Sequence, residues 1–243
     1  MSDPKSRYAK MPDKPEVREM GKGPGGEDIY ADKRLFFQLQ AYSNCTDIQP
    51  IIDALAEANV QAALYENVND PHGIAIMSYS EDPEYFVSNL RTVLNKEPFT
   101  NLTHEPEFTM IGRTYTIGYE SDLQDVLIDK PKGRLLNDEL KWVVYYPLRR
   151  IGAFNRLELP EQRKILGEHG TIGRAFGAHD LGQDIRLNCM GLDKNDNDFV
   201  IGLLGKELHP LSSLVQTMRK TVQTSQYIEK MGPFFVGLKR WSN

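Results

Sequence analysis

A chain of 243 residues, 40% of them hydrophobic, can bury a sizeable core, either as one large domain or as two fused smaller ones. Its formal net charge of -5 excludes the concentrated basic footprint of a nucleic-acid binder. No apolar run approaches the roughly 18 residues that cross a bilayer, and Met1 to Tyr30 lacks the apolar core of a signal peptide, so a cytoplasmic protein is expected.

Residues 1–30 are rich in Pro, Gly and charge, a composition that cannot supply a core and predicts an arm that orders on a neighbour. From Arg34 to Tyr42 the alternation reads as a strand, and Asp47 to Ala58 reads as a helix with Ile48, Ile51, Ile52 and Leu55 along one stripe. Strands follow over 60–66 and 73–79, split by the turn formers Asn69, Asp70 and Pro71. A second helix opens at Ser80 with Pro83 in its first turn and runs to about Asn95, before a strand near 108–113. That order is βαββαβ, and it fills a first unit over 31–120.

After a connector over 121–138 the order recurs in 139–243: a strand over 141–147, a helix over 160–176, strands over 184–190 and 199–204, a helix over 207–227 and a strand over 233–239. Each unit has the split βαβ pattern in which two helices cover one face of a four-stranded antiparallel sheet. Two such units leave two bare sheet faces, and packing these together gives an α+β barrel built from two fused ferredoxin-like repeats. The alternative is two independent α+β domains.

Cys45 and Cys189 are far apart and form no CxxC-type spacing, so they are expected as small buried residues. P-loop, GxGxxG, GxSxG and HExxH motifs are all missing, which removes support for the common nucleotide, hydrolase and zincin chemistries. His169 shares a helix face with Leu166, Ile172 and Phe176, which turns its imidazole inward. An inward imidazole is either a hydrogen-bonded core residue or an axial ligand for haem iron. His72, His104, His179 and His209 fall in turns or at helix ends and are expected in solvent. Tyr145-Tyr146-Pro147-Leu148-Arg149-Arg150 ends a buried strand with phenols and two guanidinium groups, which suits an anionic aromatic ligand or is simply a basic strand end. Arg134 adds a cation ahead of that strand, and Arg186 alternates with Asp184 and Asn188 on one face of a later one.

From about Arg134 to Gly237 the chain resembles the chlorite dismutase superfamily, and most closely its coproheme decarboxylase branch. His169-Gly170-Thr171-Ile172-Gly173-Arg174 is similar to the HGxxGR stretch that carries the proximal haem histidine, which implies His169 as the iron ligand. Tyr146-Pro147-Leu148-Arg149-Arg150 resembles the decarboxylases' YPxxK motif, implying Tyr146 as the redox tyrosine and Arg150 as a propionate partner. Gly133-Arg134-Leu135 and Ser225 resemble further propionate contacts. The distal position falls near Asp184, with Gln183 and Arg186 as the other candidates. The Trp-Trp pair of chlorite dismutases is replaced around Phe154 to Leu157, and the glutamate that bonds their proximal histidine falls at Leu204. The resemblance implies an iron porphyrin as cofactor or substrate, coproheme III or haem b. It implies peroxide-dependent oxidative decarboxylation of coproheme to haem b, with chlorite dismutation or haem binding without turnover as alternatives. It also implies a homopentamer.

Overall fold

A computed structural model describes residues 14–243. Two short strands, β1 (Glu19–Lys22) and β2 (Asp28–Ala31), form a hairpin at its start. The first half continues with β3 (Phe36–Ser43), α1 (Gln49–Glu57), β4 (Ala62–Asn67), β5 (Ile74–Ser80), α2 (Glu84–Val87), α3 (Asn89–Leu94) and β6 (Thr103–Arg113). A π-helical turn over Asp125–Asp129 runs into α4 (Lys130–Leu136). The second half comprises β7 (Trp142–Arg150), α5 (Leu159–Ala178), β8 (Gln183–Asn188), β9 (Phe199–Gly205), α6 (Leu208–Met218), α7 (Val222–Tyr227), β10 (Ile228–Met231) and β11 (Phe235–Ser242).

The sheet is antiparallel throughout and runs β4-β5-β3-β6 in the first half and β8-β9-β7-β11 in the second. Numbered within each half, both orders are second, third, first, fourth, as two copies of a split βαβ unit would give. β11 pairs with β4, and β6 meets β8 at Arg113 and Asn188, so these strands close into a ring. Closure removes the free edges that an open sheet would expose. The alternation of the strands then divides the side chains between two surroundings. Phe37, Leu39, Tyr65, Met77, Tyr145 and Phe235 fill the barrel, while Ile51, Leu55 and Leu90 seal the first half's outer face beneath α1 and α3. Tyr145 occupies the barrel opposite Gly202, where any Cβ would overlap its ring, and its hydroxyl lies 3.5 Å from that of Tyr65.

Three features differ from the expectations. The arm expected over 1–30 contains the β1–β2 hairpin, which docks on its own chain: Glu19 is buried, accepts from Arg113 at 2.5 Å and from the Thr116 backbone at 2.9 Å. Residues 1–13 of that arm lie outside the described residues. Each of the second helices breaks in two. The first stops at Ser88, whose hydroxyl bonds to the Glu84 carbonyl and whose backbone leaves helical geometry. The later one restarts at Thr221, whose side chain caps α7 by accepting from the Thr224 backbone. The connector, expected as a link alone, holds the π turn and α4.

Candidate functional site

The outer face of the second half is covered by α6, through the buried Leu211 and Leu214, and by α5, which is held less firmly. α5 opens with Pro160 in its first turn and Glu161 beside its positive end, and it continues for 20 residues. Of all these residues only Ile165 is fully buried, and the helix packs chiefly on α6 and α7. Gly173 and Gly177 lie one and two turns on from His169 on the same face. A Cβ at Gly173 would find nothing nearer than Met218 Cε at 3.7 Å, and one at Gly177 nothing nearer than the Gly182 carbonyl at 3.8 Å. These are ordinary contact distances, so at both glycines the neighbours come just within reach of a Cβ, while Ile172 and Phe176 of the same helix pack on the apolar cluster of β7, β9 and α6.

His169 Nδ1 is buried and has no hydrogen-bond partner. Burial lowers the imidazole pKa, with Arg150 and Arg186 pushing the same way, so the ring is neutral at physiological pH. Leu204, at the position of the glutamate expected to bond a proximal histidine, points into the barrel core instead, on the side of the sheet away from α5. The other four histidines are exposed, and both cysteines are buried, as expected.

Opposite α5, registered positions across three strands form a row. Tyr146 on β7 stands beside Ile201 on β9, which stands beside Arg186 on β8, and one register step away Val144, Leu203 and Asp184 align in the same manner. Tyr146 stacks on Phe234 at 4.6 Å between ring centroids, and its hydroxyl has no partner among the described residues. Burial raises its pKa, the Asp184 charge adds to this and Arg219 opposes it, so the phenol stays protonated. Arg219 itself lies over the Phe234 ring at 5.9 Å.

Arg150 ends β7 with its guanidinium 4.3 Å from the Phe154 ring centroid and 5.1 Å from that of Phe199, and its Nε is buried without a partner. Its backbone N–H donates to Asp198 at 2.7 Å, and Asp196 pairs with Arg149 at 2.8 Å, so the β8–β9 turn fixes the strand end. Asp184 joins two cations: Arg134 donates to its carboxylate at 2.9 Å and to its backbone carbonyl, and Arg186 Nε lies 3.1 Å from its other oxygen.

Tyr146, Arg150, Asp184 and Arg186 therefore share the outer face of the sheet, His169 lies within reach of the charges of Arg150, Asp184 and Arg186, and Arg134 joins them through Asp184. Gln183 does not join them: it has the strand parity of Ile185 and Leu187, and its Nε2 lies 3.5 Å from the Gly177 carbonyl. Ser225 is exposed on α7, with its hydroxyl donating to the Thr221 carbonyl at 2.8 Å. Arg219 and Tyr115 were missed as site residues by sequence reasoning. The Tyr115 ring is 5.8 Å from Phe199, and its raised pKa, caused by burial, is opposed by the nearby Arg186 and Arg150. Met218-Arg219 does follow the C-terminal pattern of the family resemblance, but no role was read for Arg219 there, and Tyr115 lies in no motif; the three-dimensional packing brings both near the other candidates.

An iron porphyrin needs a neutral axial imidazole, a flat apolar slot and cations for its carboxylates. The orphaned Nδ1 of His169, the apolar Ile172, Phe176 and Ile201 near it and the cations Arg150 and Arg186 fit that group. Among the described residues no cluster of three or more His, Cys, Asp or Glu could hold a bare metal ion, and no helix is long and apolar enough to cross a membrane.

Solved structures share this fold. A haem-binding protein from Thermus thermophilus superposes with a TM-score of 0.66 at 16% identity, covering 85% of this chain and 91% of its own. A chlorite dismutase variant from Candidatus Nitrospira defluvii, solved with cyanide, gives 0.66 at 12% identity over 87% of this chain and 92% of its own. A search of curated protein sequences finds no match. The family model described as chlorite dismutase matches residues 43–240, and by that match the chain belongs to the chlorite dismutase family.

Proposed function

We propose that this chain is a haem-dependent oxidoreductase that removes propionate carboxyl groups from coproheme III with hydrogen peroxide, giving haem b. The observation that carries the reading is the Tyr146 phenol: protonated, stacked on Phe234, free of hydrogen bonds and on the sheet face that His169 looks toward. A second observation concerns charge. Arg134, Arg150, Arg186 and Arg219 stand around the space against one sheet-borne carboxylate, Asp184, a surplus that suits a porphyrin with four carboxylates better than one with two.

His169 would hold the iron from the helix side. When bound, the iron porphyrin supplies, together with peroxide, the oxidising power. Tyr146 gives up its phenolic proton and one electron, and its oxygen then takes a hydrogen atom from the β-carbon of a propionate. Loss of carbon dioxide and a second electron leaves a vinyl group. Each step of this kind consumes one peroxide and one proton, and it releases one carbon dioxide and two waters. Arg134 and Arg150 would orient the carboxylates, Ser225 joining them only if its hydroxyl leaves the Thr221 carbonyl, and position rather than intrinsic reactivity selects the one that meets Tyr146. Asp184 and Arg186, on the sheet face shared with Tyr146, would meet the peroxide.

The chlorite reading asks for an arginine unencumbered on that side, whereas Arg186 is tied to Asp184. The assembly we propose is a cyclic homopentamer, which light scattering tests. Tyr146→Phe tests the reaction: mass spectrometry after coproheme and peroxide are added should show haem b with the wild type and unreacted coproheme with the variant. Chlorite-dependent oxygen release, or haem b formation by the variant, would overturn the reading. Retention of porphyrin by the wild type with no mass loss would leave a haem-binding protein without turnover.

A further inference from the structure

Two arginines that face an anionic ligand should be costly to bury without counter-charge, because a guanidinium taken from water needs a partner. Asp184 provides it. One of its oxygens accepts from Arg134 at 2.9 Å and the other lies 3.1 Å from Arg186, so a single carboxylate satisfies cations from two separate elements, α4 and β8. Arg134 also donates to the Asp184 backbone carbonyl, which anchors α4 to the strand whatever the carboxylate does. The trio is only partly covered, with side-chain exposures of 22% for Arg134, 41% for Asp184 and 45% for Arg186, so an incoming carboxylate can reach it. Through Ile201 and Leu203 of β9, Arg186 and Asp184 stand in register with Tyr146 and Val144 of β7, which puts the trio on the sheet face that carries Tyr146.

We infer that Asp184 is an internal carboxylate that competes with the ligand for Arg134 and Arg186, so that the trio reads how many carboxylates a bound porphyrin carries. Exchanging one carboxylate for another keeps both guanidiniums paired. A porphyrin that brings a carboxylate to this point displaces Asp184, and one without it leaves the trio closed at no cost in unpaired charge. Asp184 therefore weakens the binding of the more highly carboxylated porphyrin and spares the less carboxylated one. This inference rests on the porphyrin reading of the pocket.

Asp184→Asn keeps the size of the side chain, an acceptor for one arginine and the backbone carbonyl anchor, but removes the competing charge. Iron-free coproporphyrin III, with four carboxylates, and iron-free protoporphyrin IX, with two, can be titrated into wild type and variant by fluorescence. The iron-free rings make the readout independent of His169 ligation and of turnover. The affinity for coproporphyrin relative to protoporphyrin should rise about three- to fivefold in the variant, the size expected for one partly exposed charge pair. Arg134→Gln should lower coproporphyrin affinity, and in the double variant Asp184→Asn should lose most of its effect, since its target has gone. An unchanged ratio in Asp184→Asn, or an undiminished effect in the double variant, would overturn the inference while leaving the pocket assignment intact. Failure of the wild type to bind either ring, or ferric coproheme, would remove the porphyrin reading and the inference with it.

Discussion

The two halves of the barrel share a strand order but treat their outer faces differently. In the first half, α1 and α3 press Ile51, Leu55 and Leu90 flat against the strands, each exposed by no more than 1%. In the second, the 20-residue α5 buries only Ile165 and presents His169 with glycines on its inner face. The second half is sealed chiefly by α6, through Leu211 and Leu214, while α5 adds only the partly buried Ile172 and Phe176. The difference lies in which side chains line the helix: branched aliphatics in α1, a histidine among glycines and partly buried apolar residues in α5. Two halves with one strand order thus differ in how firmly a helix is held on the sheet.

The largest expected effect sharpens that contrast. Leu55→Ala should cost about 2–5 kcal/mol of unfolding free energy, because it opens a cavity in a close-packed layer. His169→Ala should leave stability within about 1 kcal/mol, since it removes a buried nitrogen with no partner. That same change should erase the histidine-ligated spectrum of added ferric porphyrin. Denaturant melts and Soret spectra of both variants settle the point. A large stability loss from His169→Ala would mean that α5 is held as firmly as α1.

A milder test enlarges the α5 face beside His169. Gly173→Leu places an aliphatic side chain one turn from His169, against the flexible Met218 side chain that a Cβ there would meet at 3.7 Å, and replaces a poor helix former, so the melt should shift by no more than about 1 kcal/mol in either direction. Porphyrin affinity should fall about tenfold or more, which is about 1.4 kcal/mol. Undiminished binding would show that the ligand lies elsewhere along α5.

Periodicity was enough to find α1, α5 and the eight strands of the closed sheet, though not β1, β2 or the short β10, because each of those found buries one face at a regular spacing. It missed the breaks at Ser88 and Thr221, where single hydroxyl–backbone bonds override a helical pattern that continues on both sides. The β1–β2 hairpin was hidden because its key residue, Glu19, is a charge whose burial depends on Arg113 and Thr116, nearly a hundred positions on. Within the site, His169 and Tyr146 could be read because motifs and helix or strand phase reveal them. The bridging of Arg134 and Arg186 by Asp184 could not, since a carboxylate two residues from one arginine and fifty from the other gives no local sign of which it holds. Ring closure was legible only as a need to cover two bare sheet faces.

The smallest effect concerns the seam between the halves. Lys239 on β11 is part-buried and donates to the carbonyls of Leu135 at 2.6 Å and Asn137 at 2.7 Å, closing the end of α4. Burial lowers its pKa from 10.5 to about 8, with Asp138 opposing. A lysine whose folded pKa lies below its unfolded one binds fewer protons in the folded state between those values. Stability must therefore rise with pH from about 8 to 10.5, and this contribution is lost as pH falls through 8. Lys239→Met removes the titration, so its denaturation midpoint should be flatter than the wild type's over that window, by a few tenths of a unit of denaturant concentration at most. Identical pH profiles for the two proteins would show that the Lys239 amine keeps ordinary solvation. The β11–α4 contact would then be held by its strand pairing with β4 and β7 alone.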